Sequence, residues 1–222
     1  NEVFMSIDTS GETLSQRGYR VVTTMAPLRE HVGAGLLKLA DYNGQISVLD
    51  PMCGSGTFVI EAALQALNRY PALDRKKFGF NKLKIFDREM WLKISEEFIT
   101  QEKETTELKF YGFDTSSQAV DAAKKNAIAA GVAEFCEFRR RSVQELISPI
   151  ESGLLIINPP YGERLNDHNI NDSYKDLGYA LKHTFKGWTA WVISGNKDLV
   201  GLMGLKSSAR IPVWNGPIEC RF

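Results

Sequence analysis

Two short segments carry residue types and spacings that chemistry could use. The first is Asp50-Pro51-Met52-Cys53-Gly54-Ser55-Gly56. Gly54 and Gly56 let the main chain turn tightly and let a ligand approach it closely. A helix is expected to follow, and a helix start presents unpaired N–H groups. Such a turn at the carboxyl end of a strand is where open α/β sheets bind ligands. An acid at its head suits a cationic ligand better than a pyrophosphate, and the ammonium and sulfonium of S-adenosylmethionine (SAM) are such cations. Asp114, ending the next strand, is then placed to accept hydrogen bonds from ribose hydroxyls. A dinucleotide fingerprint would need Gly where Val59 stands and an acid about 20 residues on. A phosphate loop would need Lys after Gly56, where Thr57 stands. With no ligand, the segment would be a structural strand–turn–helix connection.

The second segment is Asn158-Pro159-Pro160-Tyr161, directly after an apolar run. Two prolines fix φ twice and remove two N–H donors. Asn158 precedes a proline and is held extended. Its side-chain carbonyl and the main-chain carbonyl of Pro159 can accept the two hydrogens of an exocyclic amine. Tyr161 offers a ring on which a base can stack, a contact worth about 1–3 kcal/mol in single-strand binding. An aromatic amine is a weak nucleophile because its lone pair is delocalised into the ring. Acceptors on its hydrogens favour the tetrahedral nitrogen of the transition state. Amine methylation would then need only alignment, with no metal and no covalent enzyme intermediate. The bland reading is a rigid strand-end loop in which Pro-Pro is a stop signal.

These segments must be held by a scaffold, and the hydrophobic pattern supplies one. Strands are expected over Ile46–Asp50, Leu108–Asp114, Phe135–Phe138, Leu154–Ile157 and Thr189–Ser194. Helices are expected from Pro27 to Ala40, Thr57 to Asn68, Ser117 to Ala130, Leu177 to Phe185 and Lys197 to Met203. Strands alternating with helices imply a mostly parallel sheet covered on both faces. Ala209–Trp214 and Ile218–Phe222, joined through Asn215-Gly216-Pro217, suggest an antiparallel ending. Val3 to Asp8 alternates as a strand would, and Arg17 to Val22 could return to make an N-terminal hairpin. A domain seldom starts inside a strand, so residues 1–25 read as a linker from a preceding region and residues 26–222 as the main domain. An insertion at about 69–107 interleaves Arg75, Lys76, Lys77, Lys82 and Lys84 with Phe78, Phe80, Phe86 and Trp91. It is either a solvated helical face or a surface for nucleic-acid phosphates.

Composition narrows the class. The chain has 222 residues, 27 Lys plus Arg against 27 Asp plus Glu, and 43% hydrophobic residues. That is enough apolar material for a core and argues against disorder. Zero net charge argues against a basic coat on nucleic acid but not against a local basic patch. No apolar run approaches the ~18 residues of a membrane span, and Asn1–Ser10 has no signal-peptide pattern. Cys53, Cys136 and Cys220 are scattered and form no CxxC, so neither zinc nor a disulfide framework is indicated. A cytoplasmic location is the simplest expectation.

With both segments placed, the chain resembles the class I SAM-dependent methyltransferases that modify amines. More narrowly, it is similar to the bacterial 23S ribosomal RNA guanine-N2 methyltransferases, a THUMP-containing family often labelled as N6-adenine DNA methylases. The stretches that carry this are SIDTSGETLSQRGYR, APLRE, LDPMCGSGTFVIEAA, NPPYGERL and NGPIEC, spanning Ser6 to Cys220. The resemblance implies a seven-stranded sheet with its last strand antiparallel. It implies SAM contacts at Asp50, Gly54, Ser55, Gly56 and Asp114, with Leu28 and Glu30 near the methionine part. It implies catalysis at Asn158, Pro159, Pro160 and Tyr161, ribosomal RNA as substrate and S-adenosylhomocysteine (SAH) as product. Members usually carry Asp after the third strand to meet the adenine amino group. Here Ser142 stands there, a hydroxyl in place of a carboxylate. The family's N-terminal THUMP module for RNA capture would precede this chain.

Other residues admit two readings. Arg17 and Arg20 could reach substrate or stabilise the N-terminal hairpin, and Glu163 and Arg164 could orient a flipped base or pair with each other. Arg139-Arg140-Arg141 could hold phosphates or be an exposed strand end. His31, His168 and His183 lack metal spacing, and Cys53 reads as a packed small side chain. The functional expectation is methylation of guanine N2 in 23S ribosomal RNA. The same-class alternative is adenine N6 in DNA or RNA, with protein glutamine methylation behind it. From other classes, a nicotinamide-dependent oxidoreductase and a non-catalytic RNA-binding module remain.

Overall fold

The computed structural model describes residues 3–24, 27–70, 73, 75, 77–161 and 170–222. In chain order the elements are α1 (Glu30–Leu39), β1 (Val48–Asp50), α2 (Thr57–Ala66), α3 (Arg88–Ile99), β2 (Phe110–Asp114), α4 (Ser117–Ala129), β3 (Cys136–Arg140) and β4 (Leu154–Ile157). They continue as α5 (Ile170–His183), β5 (Thr189–Val192), α6 (Lys197–Gly201), β6 (Pro212–Asn215) and β7 (Ile218–Arg221). Five strands form a parallel sheet in the order β3-β2-β1-β4-β5. β6 and β7 form an antiparallel pair. Ser194, just past β5, exchanges two main-chain hydrogen bonds with Arg221 of β7, 2.9 and 3.0 Å long. The spatial run is therefore β3-β2-β1-β4-β5-β7-β6, with β7 antiparallel to its neighbour.

The central strands are apolar on both faces because both faces are covered. Val48, Leu154 and Ile156 point into one core with residues of α1, α2 and α4, among them Leu37, Phe58, Ile60 and Ala127. Leu49, Leu155 and Ile157 point into a second core with Tyr174, Leu177 and Ala180 of α5 and Leu199 and Met203 around α6. Helix α2 is buried along nearly its whole length. This helix is therefore a fixed reference for the Asp50–Gly56 turn that precedes it.

Two expectations are corrected. Residues 3–24 contain no strand, so the N-terminal hairpin does not form. Val3, Phe4, Met5 and Ile7 are 80–95% exposed, so the alternation there has no core to face. The returning stretch spends its hydrogen bonds elsewhere: Val21 and Val22 N–H both donate to Asn126 Oδ1 of α4 at 3.0 Å. Helix α5 begins at Ile170, earlier than Leu177, because its first two turns are polar on the outer face. Gly178 sits inside it because a Cβ there would lie 2.2 Å from the Met203 carbonyl oxygen.

In the insertion, α3 buries no residue. Phe78, Phe80, Phe86 and Trp91 pack on one another with ring centroids 4.8–5.5 Å apart. These rings form their own small cluster, docked on the N-terminal arm through Phe80 N–H donating to Thr9 O at 2.8 Å. No described helix is long and apolar enough to cross a membrane.

Candidate functional site

The carboxyl ends of three neighbouring strands, β2, β1 and β4, deliver Asp114, Asp50 and Asn158 to one cavity of about 710 Å³. This is the place where an open parallel sheet leaves room for a ligand. Leu28, Asp50, Gly54, Ser55, Asp114, Ser142, Asn158, Pro159, Pro160 and Tyr161 all line it. Gly56 and Glu30 do not. Gly56 lies behind the turn as the N-cap of α2, with φ of 86°. A Cβ there would meet Ala123 and Phe138 at 3.0–3.1 Å, so both the dihedral and the space call for glycine.

The turn is braced from both sides. Gly54 N–H donates to Asp114 Oδ2 at 2.9 Å, and Cys53 N–H donates to the Phe113 carbonyl at 2.8 Å. Asp114 Oδ1 accepts from Ser116 N–H at 2.9 Å. Each of these oxygens has accepted a single hydrogen bond, so the carboxylate keeps acceptor capacity toward the cavity. Asp50 is 2% exposed and accepts only Met52 N–H, at 3.0 Å. No cation pairs with it among the described residues. Burial, opposed by the Met52 N–H and reinforced by the charge of Asp114, pushes its pKa up to about 8. An unpaired buried carboxyl on a ligand cavity is the polar group that a bound ammonium would complete. Burial also pushes the Cys53 thiol well up, so it is a packed neutral group and a poor nucleophile.

The brace on the outer side comes from Arg20. Its guanidinium donates to Glu30 Oε1 at 2.8 Å, Ser55 Oγ at 3.0 Å, the Leu28 carbonyl at 2.6 Å and Thr57 Oγ1 at 3.0 Å. One side chain thus ties the start of α1 to the turn and to the first residue of α2. Arg20 thus links Glu30 to the cavity-lining Ser55 and Thr57. Arg17 Nε lies 3.0 Å from Glu61 Oε1 but off the line of its N–H, whereas Tyr19 Oη donates to the same oxygen at 2.9 Å. Burial, partly offset by Arg17 and Tyr19, raises the Glu61 pKa to about 7. Neither Arg17 nor Arg20 lines the cavity. Arg20 holds its wall through Ser55, Leu28 and Thr57, Arg17 lies against Glu61 of α2, and the hairpin expected to use them is absent. Asn126, buried in α4, donates to the Ser55 and Val22 carbonyls at 3.1 and 2.9 Å. Sequence reasoning missed Glu61 and Asn126. The available signal was a single polar residue on the otherwise apolar face of each helix.

On the other wall, Asn158 Oδ1 is buried and has no hydrogen-bond partner among the described residues. A buried acceptor left unpaired costs about 1–3 kcal/mol, and the residue that carries it lines the cavity. The Pro160 carbonyl is held by Tyr174 Oη at 3.2 Å. Tyr161 Oη accepts from Asn215 Nδ2 at 3.0 Å. Ser142 donates its main-chain N–H and its hydroxyl to Glu145 Oε2, both at 2.9 Å. With that hydrogen spent, the hydroxyl oxygen of this cavity-lining residue is left as an acceptor.

The remaining candidates lie apart. Arg139 pairs with Glu137 at 2.7 Å, and Arg140 donates to the Thr115 carbonyl. His31 is exposed, and His183 stacks on Tyr179. Glu163, Arg164 and His168 lie outside the described residues. Among the described residues no three His, Cys, Asp or Glu side chains gather as metal ligands.

Residues 17–222 match the family described as RMKL-like, methyltransferase domain. A ribosomal RNA large subunit methyltransferase K/L of Psychromonas ingrahamii is 42% identical over 220 residues, covering 96% of this chain and 29% of that protein. A crystal structure of a candidate methyltransferase complexed with SAH superposes with a TM-score of 0.88 at 31% identity, over 96% of this chain and 56% of the other. A Listeria monocytogenes structure described as a predicted N6-adenine-specific DNA methylase gives 0.85 at 29% identity, over 97% and 56%. The chain thus spans under a third to about half the length of these relatives.

Proposed function

The chain belongs to the RMKL-like methyltransferase domain family, and from that premise we propose that it methylates the exocyclic N2 amine of a guanine in large-subunit ribosomal RNA, using SAM. The observation that carries this reading is the unpaired, buried Asn158 Oδ1 on the same cavity as the unpaired, buried Asp50 carboxyl. One is an acceptor for an amine hydrogen. The other is a partner for an ammonium.

The residues present suit SAM. Asp50 would hold its ammonium, Asp114 its ribose hydroxyls and Ser142 its adenine amino group, with Gly54 and Ser55 forming the floor. When bound, SAM supplies an electrophilic methyl group and leaves as SAH. The protein's own work is positional. Asn158 Oδ1 accepts one amine hydrogen and directs the nitrogen lone pair out of the ring system. Pro159 and Pro160 hold that acceptor on a rigid turn. Tyr161 gives the base a face to stack on. The base must leave its helix to reach such a cavity, as in other enzymes that act on bases. The transferred methyl replaces one amine hydrogen, which leaves as a proton.

A second reading, adenine N6 methylation, is favoured by the name of the Listeria structure. Both amines offer the same two hydrogens to Asn158. Ribosomal RNA and DNA would be incubated with protein and isotopically labelled SAM, then digested to nucleosides for mass spectrometry. The label is expected in N2-methylguanosine. Label solely in N6-methyladenosine or its deoxy form would overturn the guanine assignment.

A further inference from the structure

The β6–β7 hairpin carries the NGPIEC stretch, to which nothing so far assigns a role. We propose that Asn215 of this hairpin is a positioning residue that sets the stacking surface of Tyr161 for the target base. This rests on the methyltransferase reading above.

Three observations converge on Tyr161. Asn215 Nδ2 donates to its phenol oxygen at 3.0 Å, and Cys220 Sγ lies 3.5 Å from the same oxygen. Asn215, Ile218 and Tyr161 all line the cavity that Asn158 lines, so the hairpin tip is its wall beside the tyrosine. The ring is also confined from below, because a Cβ on Gly195 would stand 2.9 Å from Ile218 Cγ2 and 3.3 Å from Tyr161 Cδ2. That backbone belongs to the same strand end that holds β7 through Ser194 and Arg221. Tyr174 Oη, 3.3 Å from Ser194 Oγ, holds the Pro160 carbonyl, so the residue before Tyr161 is tied to the same corner. The phenol oxygen is the far end of the ring. Fixing it fixes the direction of the ring axis, while Pro159 and Pro160 fix the near end. The hairpin and the turn after β4 thus hold one aromatic plate at its two ends.

The test is a cycle of Asn215→Ala, Tyr161→Phe and the double variant, with Asn215→Asp as the conservative exchange. Tyr161→Phe keeps the ring and removes the held oxygen. Methyl transfer from labelled SAM to ribosomal RNA gives kcat and KM, and tyrosine labelled at the ring carbon bearing oxygen gives an NMR signal for Tyr161. Each single variant is expected to raise the KM for RNA roughly 3- to 10-fold, the range for one lost hydrogen bond, with SAM affinity unchanged. The double variant should be no worse than Tyr161→Phe alone, because removing the phenol oxygen already removes the contact that Asn215 makes. Asn215→Asp, which can accept from the phenol, should recover activity to within about 2-fold of the wild type. The Tyr161 carbon signal should shift in Asn215→Ala, a change that loss of stability elsewhere would not cause. A wild-type KM in Asn215→Ala, multiplying effects in the double variant, or an unmoved Tyr161 signal would each overturn the proposal. Failure of the wild type to label any nucleic acid would instead refute the reading of function, and the NMR comparison would still decide the contact.

Discussion

The proposed seat of the SAM ammonium on Asp50 implies that binding depends on pH, with a sign that follows from the burial of this carboxyl. In the free protein its pKa is pushed up to about 8, chiefly by burial. A bound ammonium needs the ionised carboxylate, so binding below pH 8 must release a proton. The competent fraction is about 1% at pH 6 and about 10% at pH 7, and apparent affinity scales with that fraction. The Kd for SAM should therefore fall about tenfold per pH unit between roughly pH 6 and 7, and pass through a minimum near pH 8, above which the ligand's own α-ammonium loses its proton. Isothermal titration calorimetry in buffers of different ionisation enthalpy measures both the affinity and the proton released. In Asp50→Asn the affinity should be weak and nearly flat with pH. A wild-type Kd that does not change over this window, with no proton released, would refute the role given to Asp50.

Asn158→Ala should lower kcat by at least 100-fold, the scale for losing one transition-state acceptor, while calorimetry shows SAM affinity within about 2-fold of the wild type. Full activity in that variant would remove Asn158 from the mechanism. Arg20→Ala leaves Glu30 without its cation in a pair whose side chains are each 11% exposed, and should cost about 3–5 kcal/mol in denaturant unfolding, with SAM binding weakened as well. Gly56→Ala forces a side chain onto φ of 86° and should cost about 1–3 kcal/mol, read as a lower Tm. Thermal stability of the ligand-free protein should decline as pH rises from about 4 to about 8. The folded pKa values of Glu61, about 7, and Asp50, about 8, lie above their ordinary 4.5 and 3.8. Their contribution is thus full below about pH 4, where both states are protonated, and is lost progressively until they ionise in the folded state too, near pH 7 and 8. Asp50→Asn should flatten the upper part of that decline, and a curve parallel to the wild type would count against it.

The scaffold was legible because its signals are local. The four apolar residues Leu154–Ile157 mark a strand covered on both faces, and each strand–turn–helix unit announces itself by composition. The cavity-lining residues were legible because glycine and proline constrain the chain wherever they occur. What stayed hidden depends on partners distant in sequence. Alternation in Val3–Ile7 resembles a strand, but no face of the fold meets it. Arg17 and Arg20 are charged residues in a loop, and only the fold brings Glu61 and Glu30 to them. Asn126 looks like a surface position until the 17–24 segment is laid across it. The insertion reads as a solvated helical face or a surface for nucleic-acid phosphates, and nothing in its local sequence signals that its aromatic residues pack on each other.

The central claim is that the acceptor at Asn158 faces the methyl group delivered from the Asp50–Gly56 turn. A crystal structure with sinefungin, in which an amine replaces the transferable methyl, tests it directly. The account predicts that amine on the Asn158 side of the cavity, with the ligand's ammonium on Asp50. Sinefungin bound with its amine turned away from Asn158, or seated outside this cavity, would contradict it.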